Sequence, residues 1–146
     1  MQIAVIDGQG GGLGKAIIEK INKDLTDEVK IIALGTNSVA TSVMLKAGAH
    51  AGASGENAFI HNVGNVDIIT GSFNMIIANS MLGEITPRMV SAVLKSPAKK
   101  VLLPFKNSEV YLVGIKKQPL PRFIEEVSCK IKEFAKTNFA SGKVNL

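Results

Sequence analysis

The chain has 146 residues, of which 46% are hydrophobic and 20% charged, values that exclude a disordered chain and predict one domain over residues 1–146. A single cysteine, Cys129, excludes an intramolecular disulfide and a cysteine-based zinc site. The N-terminus has no basic stretch ahead of an apolar segment, and apolar runs reach only about five residues. We therefore expect a cytoplasmic protein without a membrane span.

The net charge of +5 is distributed unevenly along the chain. Residues 1–80 carry five Lys/Arg and seven Asp/Glu, whereas residues 81–146 carry twelve and five. A basic half can attract nucleic acid or anionic ligands. The lysines are scattered along helix-like segments without interleaved aromatic residues, which favours solvated helix faces, and we expect no nucleic-acid partner.

Strand-like and helix-like segments alternate along the sequence. The predicted strands cover residues 2–7, 29–35, about 49–53, 66–71, 100–105 and 109–115. The predicted helices cover residues 13–24, a segment from an N-cap at Ser38 to near Gly48, 55 or 56 to about 63, 86–96 and 122–136. Thr86 and Pro87 are typical of an N-cap and a first helical position. Residues 74–82 fit either a continued strand or a short helix.

This alternation predicts a three-layer, Rossmann-like α/β sandwich with a mostly parallel sheet of about five or six strands. The last two strands flank the tripeptide KNS, so we expect an antiparallel hairpin strand at one edge. Ligands of such sheets bind at the carboxyl ends of the strands. In this sequence those ends fall at Asp7-Gly8 and at residues 34–37, 70–72 and 103–105.

A glycine-rich stretch, IAVIDGQGGGLGKAI at residues 3–17, follows the first predicted strand. Glycines at a helix start let a phosphate approach backbone N–H groups. The P-loop pattern fails, because Gln9 replaces its first glycine and Ala16 replaces its magnesium-binding hydroxyl. The G-x-G-x-x-G pattern also fails, because it reaches Leu13 or Lys15.

The spacing of Gly8, Gly12 and Gly14 resembles the TGxxxGxG loop of short-chain dehydrogenases, with Asp7 in place of their threonine. The resemblance covers only the first thirty-odd residues. The Y-x-x-x-K pair of those enzymes is missing, since Tyr111 is followed four residues later by Ile115. Hydride transfer by their mechanism is therefore not supported.

Four segments together resemble a family of small bacterial proteins of unknown function. These segments are IAVIDGQGGGLGKAI, GASGENA, VDIITG and LGEITPRM, and the resemblance spans nearly the whole chain. It implies a Rossmann-like fold and carries no established activity or ligand.

We predict that the glycine loop binds a nucleotide, a dinucleotide or another anionic ligand, with NAD or NADP the leading candidates. The residues expected to contact phosphates are Gly8, Gln9, Gly10, Gly11, Gly12, Leu13 and Gly14, and those expected to contact a ribose are Thr36 and Asn37. Two features argue against NAD(P): the second strand ends without the usual ribose-binding acid, and no arginine is available for a 2′-phosphate. The negative charge of Asp7 would face any phosphate in the loop, and Asp7 either accepts loop N–H groups or has a catalytic or metal-binding role.

Several charged or polar residues are further candidates. Lys15 either offsets phosphate charge or is solvated. Glu84 and Arg88 either orient a ligand or form an i,i+4 ion pair. His61, which would share a helix face with Asn57, is either an acid/base group or a surface or packing residue, and His50 has the same alternatives. The two histidines, without a carboxylate at ligand spacing, predict no metal site.

The sequence is compatible with three functions. The first is nucleotide binding, in a homodimer that completes the site or covers an edge strand. The second is a non-enzymatic regulatory or interaction module in which the glycines are structural. The third is a small-molecule enzyme that uses His61, Glu84 or Arg88.

Overall fold

Strands and helices alternate in the computed structural model, which describes residues 1–25, 29–104 and 110–140. The strands found there are β1 (Gln2–Asp7), β2 (Lys30–Gly35), β3 (Ala51–Ser54), β4 (Ile68–Ser72) and β5 (Lys99–Leu103). The α-helices are α1 (Gly12–Asp24), α2 (Ser38–Lys46), α3 (Glu56–Val63), α4 (Pro87–Lys95) and α5 (Leu120–Ala140). A short 3₁₀ turn, Phe73–Ile76, follows β4. None of the helices in these ranges has the length and apolar character that crossing a membrane requires.

The five strands form one parallel sheet in the order β3-β2-β1-β4-β5. From β1 the chain builds outward through β2 and β3, and it then crosses to the other side of β1 to form β4 and β5. The strand order therefore reverses at the carboxyl end of β1, which is where parallel α/β sheets bind ligands. Asp7 at this end is in register with Gly35 of β2, and the preceding Ile6 is in register with Gly71 of β4.

Both faces of the sheet are covered, which confirms the predicted three-layer sandwich. Ile3 and Val5 of β1 belong to a core with the isoleucines of α1 and with residues of α2 and α5. Ala4 and Ile6 point to the opposite face and belong to a second core that includes Phe59 of α3 and residues of α4. Because β1 is buried on both faces, its sequence is a continuous apolar run that ends at Asp7.

The predicted helix starts are confirmed at α4 and shifted by one residue at α2. Thr86 caps α4 by accepting the N–H of Met89 at 3.2 Å, with Pro87 at the first helical position. The cap of α2 is Asn37 rather than Ser38, because the Asn37 Oδ1 accepts the N–H of Ala40 at 2.8 Å.

The sixth strand, predicted over residues 109–115 as part of a hairpin, is not formed by residues 110–115. Residues 105–109, which include the predicted KNS turn, lie outside the described residues. The side chains of Tyr111 and Val113 are almost completely exposed, and Gly114 turns the chain with φ 89°. A β-rich composition specifies a strand only where a neighbouring strand pairs with it, and among the described residues the sheet consists of β1 to β5.

Residues 74–82 are neither a continued strand nor one α-helix. The Ser72 hydroxyl accepts the N–H of Asn74 at 3.2 Å and starts the 3₁₀ turn directly after β4. Tight turns follow up to α4.

Candidate functional site

The glycine loop (residues 8–14) joins β1 to α1 at the carboxyl edge of the sheet. Gly11 is the N-cap of α1 with φ 74°, and its N–H donates to the Gly8 carbonyl at 3.0 Å. A Cβ on Gly11 would lie 2.8 Å from the Ala40 Cα in α2. Both the left-handed backbone and the close approach of α2 therefore require glycine at this position.

Gly8 and Gly14 are also required by packing within the protein. A Cβ on Gly8 would lie 2.6 Å from both the Glu84 Oε2 and the Thr36 Oγ1. A Cβ on Gly14 would collide with the Met44 Sδ and lie 3.0 Å from the Asp7 Cβ. The absence of a side chain lets Glu84 and Thr36 pack against Gly8, and it lets Met44 pack against Gly14.

Gly10 and Gly12 differ from the other glycines of the loop. Both are exposed, neither has a positive φ, and a Cβ on either would meet no atom within 4 Å. Within the described residues, the backbone N–H groups of Gly10 and Gly12 have no hydrogen-bond partner. These two positions therefore combine room for a side chain with backbone donors that no described residue uses.

Asp7 is buried beneath the loop and accepts its N–H groups. The Asp7 Oδ1 accepts from Gly8 N at 2.8 Å, and its Oδ2 accepts from Gly14 N at 2.7 Å. Burial raises the pKa of Asp7, while the N–H groups of Gly14, Gly8 and Leu13 work in the opposite direction. The prediction that Asp7 accepts loop N–H groups is confirmed.

Glu84, which lies between the 3₁₀ turn and α4, also turns towards the loop. Its Oε2 accepts the Gln9 N–H at 2.8 Å, the Asn37 Nδ2 at 3.1 Å and the Thr36 hydroxyl. Partial burial tends to raise the pKa of Glu84, but the hydrogen bonds from Thr36, Gln9 and Asn37 together outweigh burial and hold this pKa below its usual range. Glu84 is therefore a carboxylate at neutral pH.

The expected i,i+4 ion pair between Glu84 and Arg88 is not formed. Instead, the Arg88 Nη1 lies 3.0 Å from the Glu56 Oε1 on α3. The Glu56 Oε2 accepts the Thr86 hydroxyl at 2.5 Å. The i,i+4 spacing predicted the wrong partner, because three hydrogen bonds from donors around the loop stabilise the Glu84 carboxylate more than one exposed guanidinium would.

An unusual backbone path brings Glu84 to the loop. Asn79, Met81, Leu82 and Gly83 all have a positive φ, between 54° and 87°. The Asn79 N–H donates to the Ile85 carbonyl at 2.7 Å, which closes these turns at their base. A left-handed backbone is unfavourable for a residue such as Leu82, and it persists where the surrounding structure enforces it.

The structure brings Thr36 and Asn37 to the glycine loop, as their position after β2 predicts. Both donate to Glu84, and the Asn37 Nδ2 also donates to the Gln9 carbonyl at 3.1 Å. Thr36 is tied to the end of β1 as well, because its N–H donates to the Asp7 carbonyl at 3.0 Å. The ends of β1 and β2 and the segment before α4 thus meet in one hydrogen-bonded site.

The remaining candidate residues have their contacts elsewhere. Lys15 is half exposed and lies 3.9 Å from Glu19 one turn along α1. The His50 Nδ1 accepts the N–H of Ile31 near the amino end of β2. His61 and Asn57 lie on α3, where the His61 side chain is exposed, and Cys129 is exposed on α5. In the ranges that the structure describes, no three His, Cys, Asp or Glu residues are grouped so that they could hold a metal ion.

The sequence matches the family described as "Domain of unknown function (DUF3842)" over residues 2–136. The chain belongs to this family. The expected membership in a family of unknown function is thereby confirmed. A comparison with curated proteins gave no significant match.

Among solved structures, the fold is similar to the crystal structure of a dodecameric FMN-dependent Ubix-like decarboxylase from Escherichia coli O157:H7. The TM-score is 0.46 at 16% sequence identity, and the match covers 92% of this chain and 77% of the decarboxylase chain. FMN dependence and dodecameric assembly are properties of that decarboxylase.

Proposed function

We propose that this protein binds a nucleotide at the carboxyl edge of the sheet, with NAD or NADP the leading candidate. The observation that supports this proposal is the pair Gly10 and Gly12. Neither glycine is required by backbone conformation or by packing, a Cβ on either would meet no atom within 4 Å, and no described residue accepts a hydrogen bond from the N–H group of either. These groups stand at the N-terminus of the 13-residue helix α1, where the helix dipole favours an anion.

The proposed ligand would use the loop in two ways. Its phosphates would lie against Gly10 and Gly12. Leu13 and Gly14 continue the same helix start, and Gly8, Gln9 and Gly11 shape the turn that precedes it. A ribose would lie towards Thr36 and Asn37.

Thermal unfolding in the presence of NAD, NADP, FMN, CoA, ATP and S-adenosylmethionine tests the proposal. A ligand at 100 times its Kd stabilises the folded state by about 2.7 kcal/mol. For a domain of this size we therefore expect the Tm to rise by roughly 5–10 °C with the correct nucleotide. The absence of a shift with every compound would contradict nucleotide binding.

A pair of valine variants locates the effect. Gly12→Val places a branched side chain in the open space before α1 and should abolish the ligand-induced shift. Gly64→Val is the matched control, since a Cβ on Gly64 also meets no atom within 4 Å. Gly64 is the C-cap of α3 and does not belong to the glycine loop. An equal loss of the shift in both variants would argue against the loop as the binding site.

A non-enzymatic interaction module is the second candidate, because residues 110–115 expose an apolar surface. Residues 110–115 expose Tyr111 by 89% and Val113 completely, beside a groove of about 820 Å³ that Phe123 helps to line. Contiguous exposed apolar surface is typical of protein contacts. We propose that this segment joins two copies of the chain in a homodimer.

Light scattering during size-exclusion chromatography tests the homodimer. Val113→Ser should convert a dimer to a monomer, whereas Val39→Ser, at a position 60% exposed on α2, should leave the dimer intact. A wild-type protein that elutes as a monomer at high concentration would contradict the proposed dimer.

A further inference from the structure

Glu84 lies where a ribose-binding carboxylate is needed, although it comes from another part of the chain. In dinucleotide-binding folds this carboxylate usually follows the second strand, where it accepts hydrogen bonds from the ribose hydroxyls. Here residues 34–37 at the end of β2 contain no acid. Instead, Glu84 is held against Thr36 and Asn37 at this same strand end.

Within the part of the chain that the structure describes, the hydrogen bonds of Glu84 involve one of its two oxygens. Oε2 accepts from Gln9, Thr36 and Asn37. Among the described residues, no group donates to the Glu84 Oε1. The carboxylate is therefore fixed in place through Oε2 and keeps Oε1 as an acceptor beside the glycine loop.

The charges around this position are unfavourable for a second anion. Asp7 is close enough that the charge of Glu84 acts on it, in the direction that raises the pKa of Asp7. Lys15 and Arg88 have other partners, since Lys15 pairs with Glu19 and Arg88 with Glu56. A phosphate on the ribose would meet a carboxylate here, whereas a free hydroxyl would donate to it.

We propose that Glu84 determines the specificity of the nucleotide site by accepting a ribose hydroxyl at Oε1, so that NAD is bound and nucleotides with a 2′-phosphate are rejected. The inference rests on the proposed nucleotide-binding function and assigns the sugar specificity of that same site.

Calorimetric titration with NAD and NADP, which differ only in the 2′-phosphate, tests the role of Glu84. The wild-type protein should bind NAD at least about 100-fold more tightly than NADP, because the 2′-phosphate of NADP would repel the Glu84 carboxylate at a desolvated contact. Glu84→Gln should lose about 10- to 100-fold in affinity for NAD, the usual effect of removing the charge from such a hydrogen bond. Its affinities for NAD and NADP should become similar.

Glu56→Gln is the matched control, since Glu56, like Glu84, is a partly buried carboxylate that accepts a threonine hydroxyl. Its partners are Thr86 and Arg88 at the start of α4 instead of the loop. It should keep the NAD preference of the wild type. Glu84→Asp keeps the negative charge on a shorter side chain, so it should bind NAD more weakly and still reject NADP. Circular dichroism of all variants verifies that they are folded.

The outcomes separate this inference from the proposed function. Equal binding of NAD and NADP by the wild type, or an unchanged preference in Glu84→Gln, overturns the role of Glu84 and leaves nucleotide binding intact. Tighter binding of both nucleotides by Glu84→Gln also overturns it, because Glu84 would then be competing with phosphates for the loop donors. If the wild type binds neither nucleotide, the proposed NAD(P) function fails, and the specificity role fails with it.

Discussion

Replacing Gly12 and Gly14 by alanine separates the open side of the glycine loop from its packed side. Both residues lie in the first turn of α1 with a negative φ, and alanine is a better helix former than glycine at such positions. A Cβ on Gly12 meets no atom within 4 Å. Gly12→Ala should therefore raise the free energy of unfolding by about 0.4–1 kcal/mol.

The same substitution at Gly14 should have the opposite effect. Its Cβ would collide with the Met44 Sδ, and it would lie 2.9 Å from the Met44 Cγ and 3.0 Å from the Asp7 Cβ. Met44 is completely buried, so its side chain cannot move into solvent. Overpacking of this kind typically costs about 1–3 kcal/mol, against a gain in helix propensity of about 1 kcal/mol or less. We expect Gly14→Ala to lower the free energy of unfolding by about 1–2 kcal/mol.

Urea unfolding of the wild type and both variants measures these changes, with unchanged m-values showing that only stability differs. The variants should lie on opposite sides of the wild type and differ by about 2 kcal/mol, or roughly 4–8 °C in Tm. If Gly12→Ala were as unstable as Gly14→Ala, the space in front of Gly12 would not be free. The proposed phosphate site would then lose its main support.

Three further predictions concern other features of the structure. Thr70→Val should raise the free energy of unfolding by about 1 kcal/mol in urea titrations, because within the described residues the buried Thr70 hydroxyl has no hydrogen-bond partner. Leu82→Gly should raise the Tm by relieving about 1 kcal/mol of left-handed strain at a side chain that is 96% exposed, whereas Leu94→Gly within α4 should lower it. Its hydrogen bonds make the pKa of Glu84 lower in the folded state than in the unfolded state. The ionised Glu84 therefore stabilises the fold at a pH above the unfolded-state pKa, and this stabilisation is lost as the pH falls through the folded-state pKa. The Tm difference between wild type and Glu84→Gln should therefore shrink in scans below about pH 4, and a difference independent of pH would contradict the assigned hydrogen bonds.

The parts of the fold that were predictable from sequence depend on local patterns. The apolar run ending at Asp7 and the helical spacing after it locate β1 and α1 to within a residue. Thr86 and Pro87 likewise mark the start of α4 through a cap that involves neighbouring residues only. Asp7 was predictable as an acceptor for the loop because the loop that supplies its N–H donors follows it directly in the sequence.

The position of Glu84 was not predictable, because its partners are distant in sequence. It binds Gln9 across 75 residues, and the turns that direct it there place Met81 and Leu82 in left-handed conformations that their residue types do not signal. For the same reason, the local i,i+4 rule assigned Arg88 to the wrong partner. Residues 110–115 were predicted as a strand from their composition alone, and composition does not reveal whether a neighbouring strand is available for pairing.

Asn37 joins two structural requirements in one amide group. Its Oδ1 must face the Ala40 N–H to cap α2, and this fixes the Nδ2 towards Gln9 and Glu84. Asparagine and aspartate are about equally good at most helix starts. In this protein Asn37→Asp would preserve the cap and place a carboxylate oxygen against the Glu84 carboxylate. In related sequences we therefore expect positions 37 and 84 to change together, with an acidic residue at one accompanied by an uncharged residue at the other.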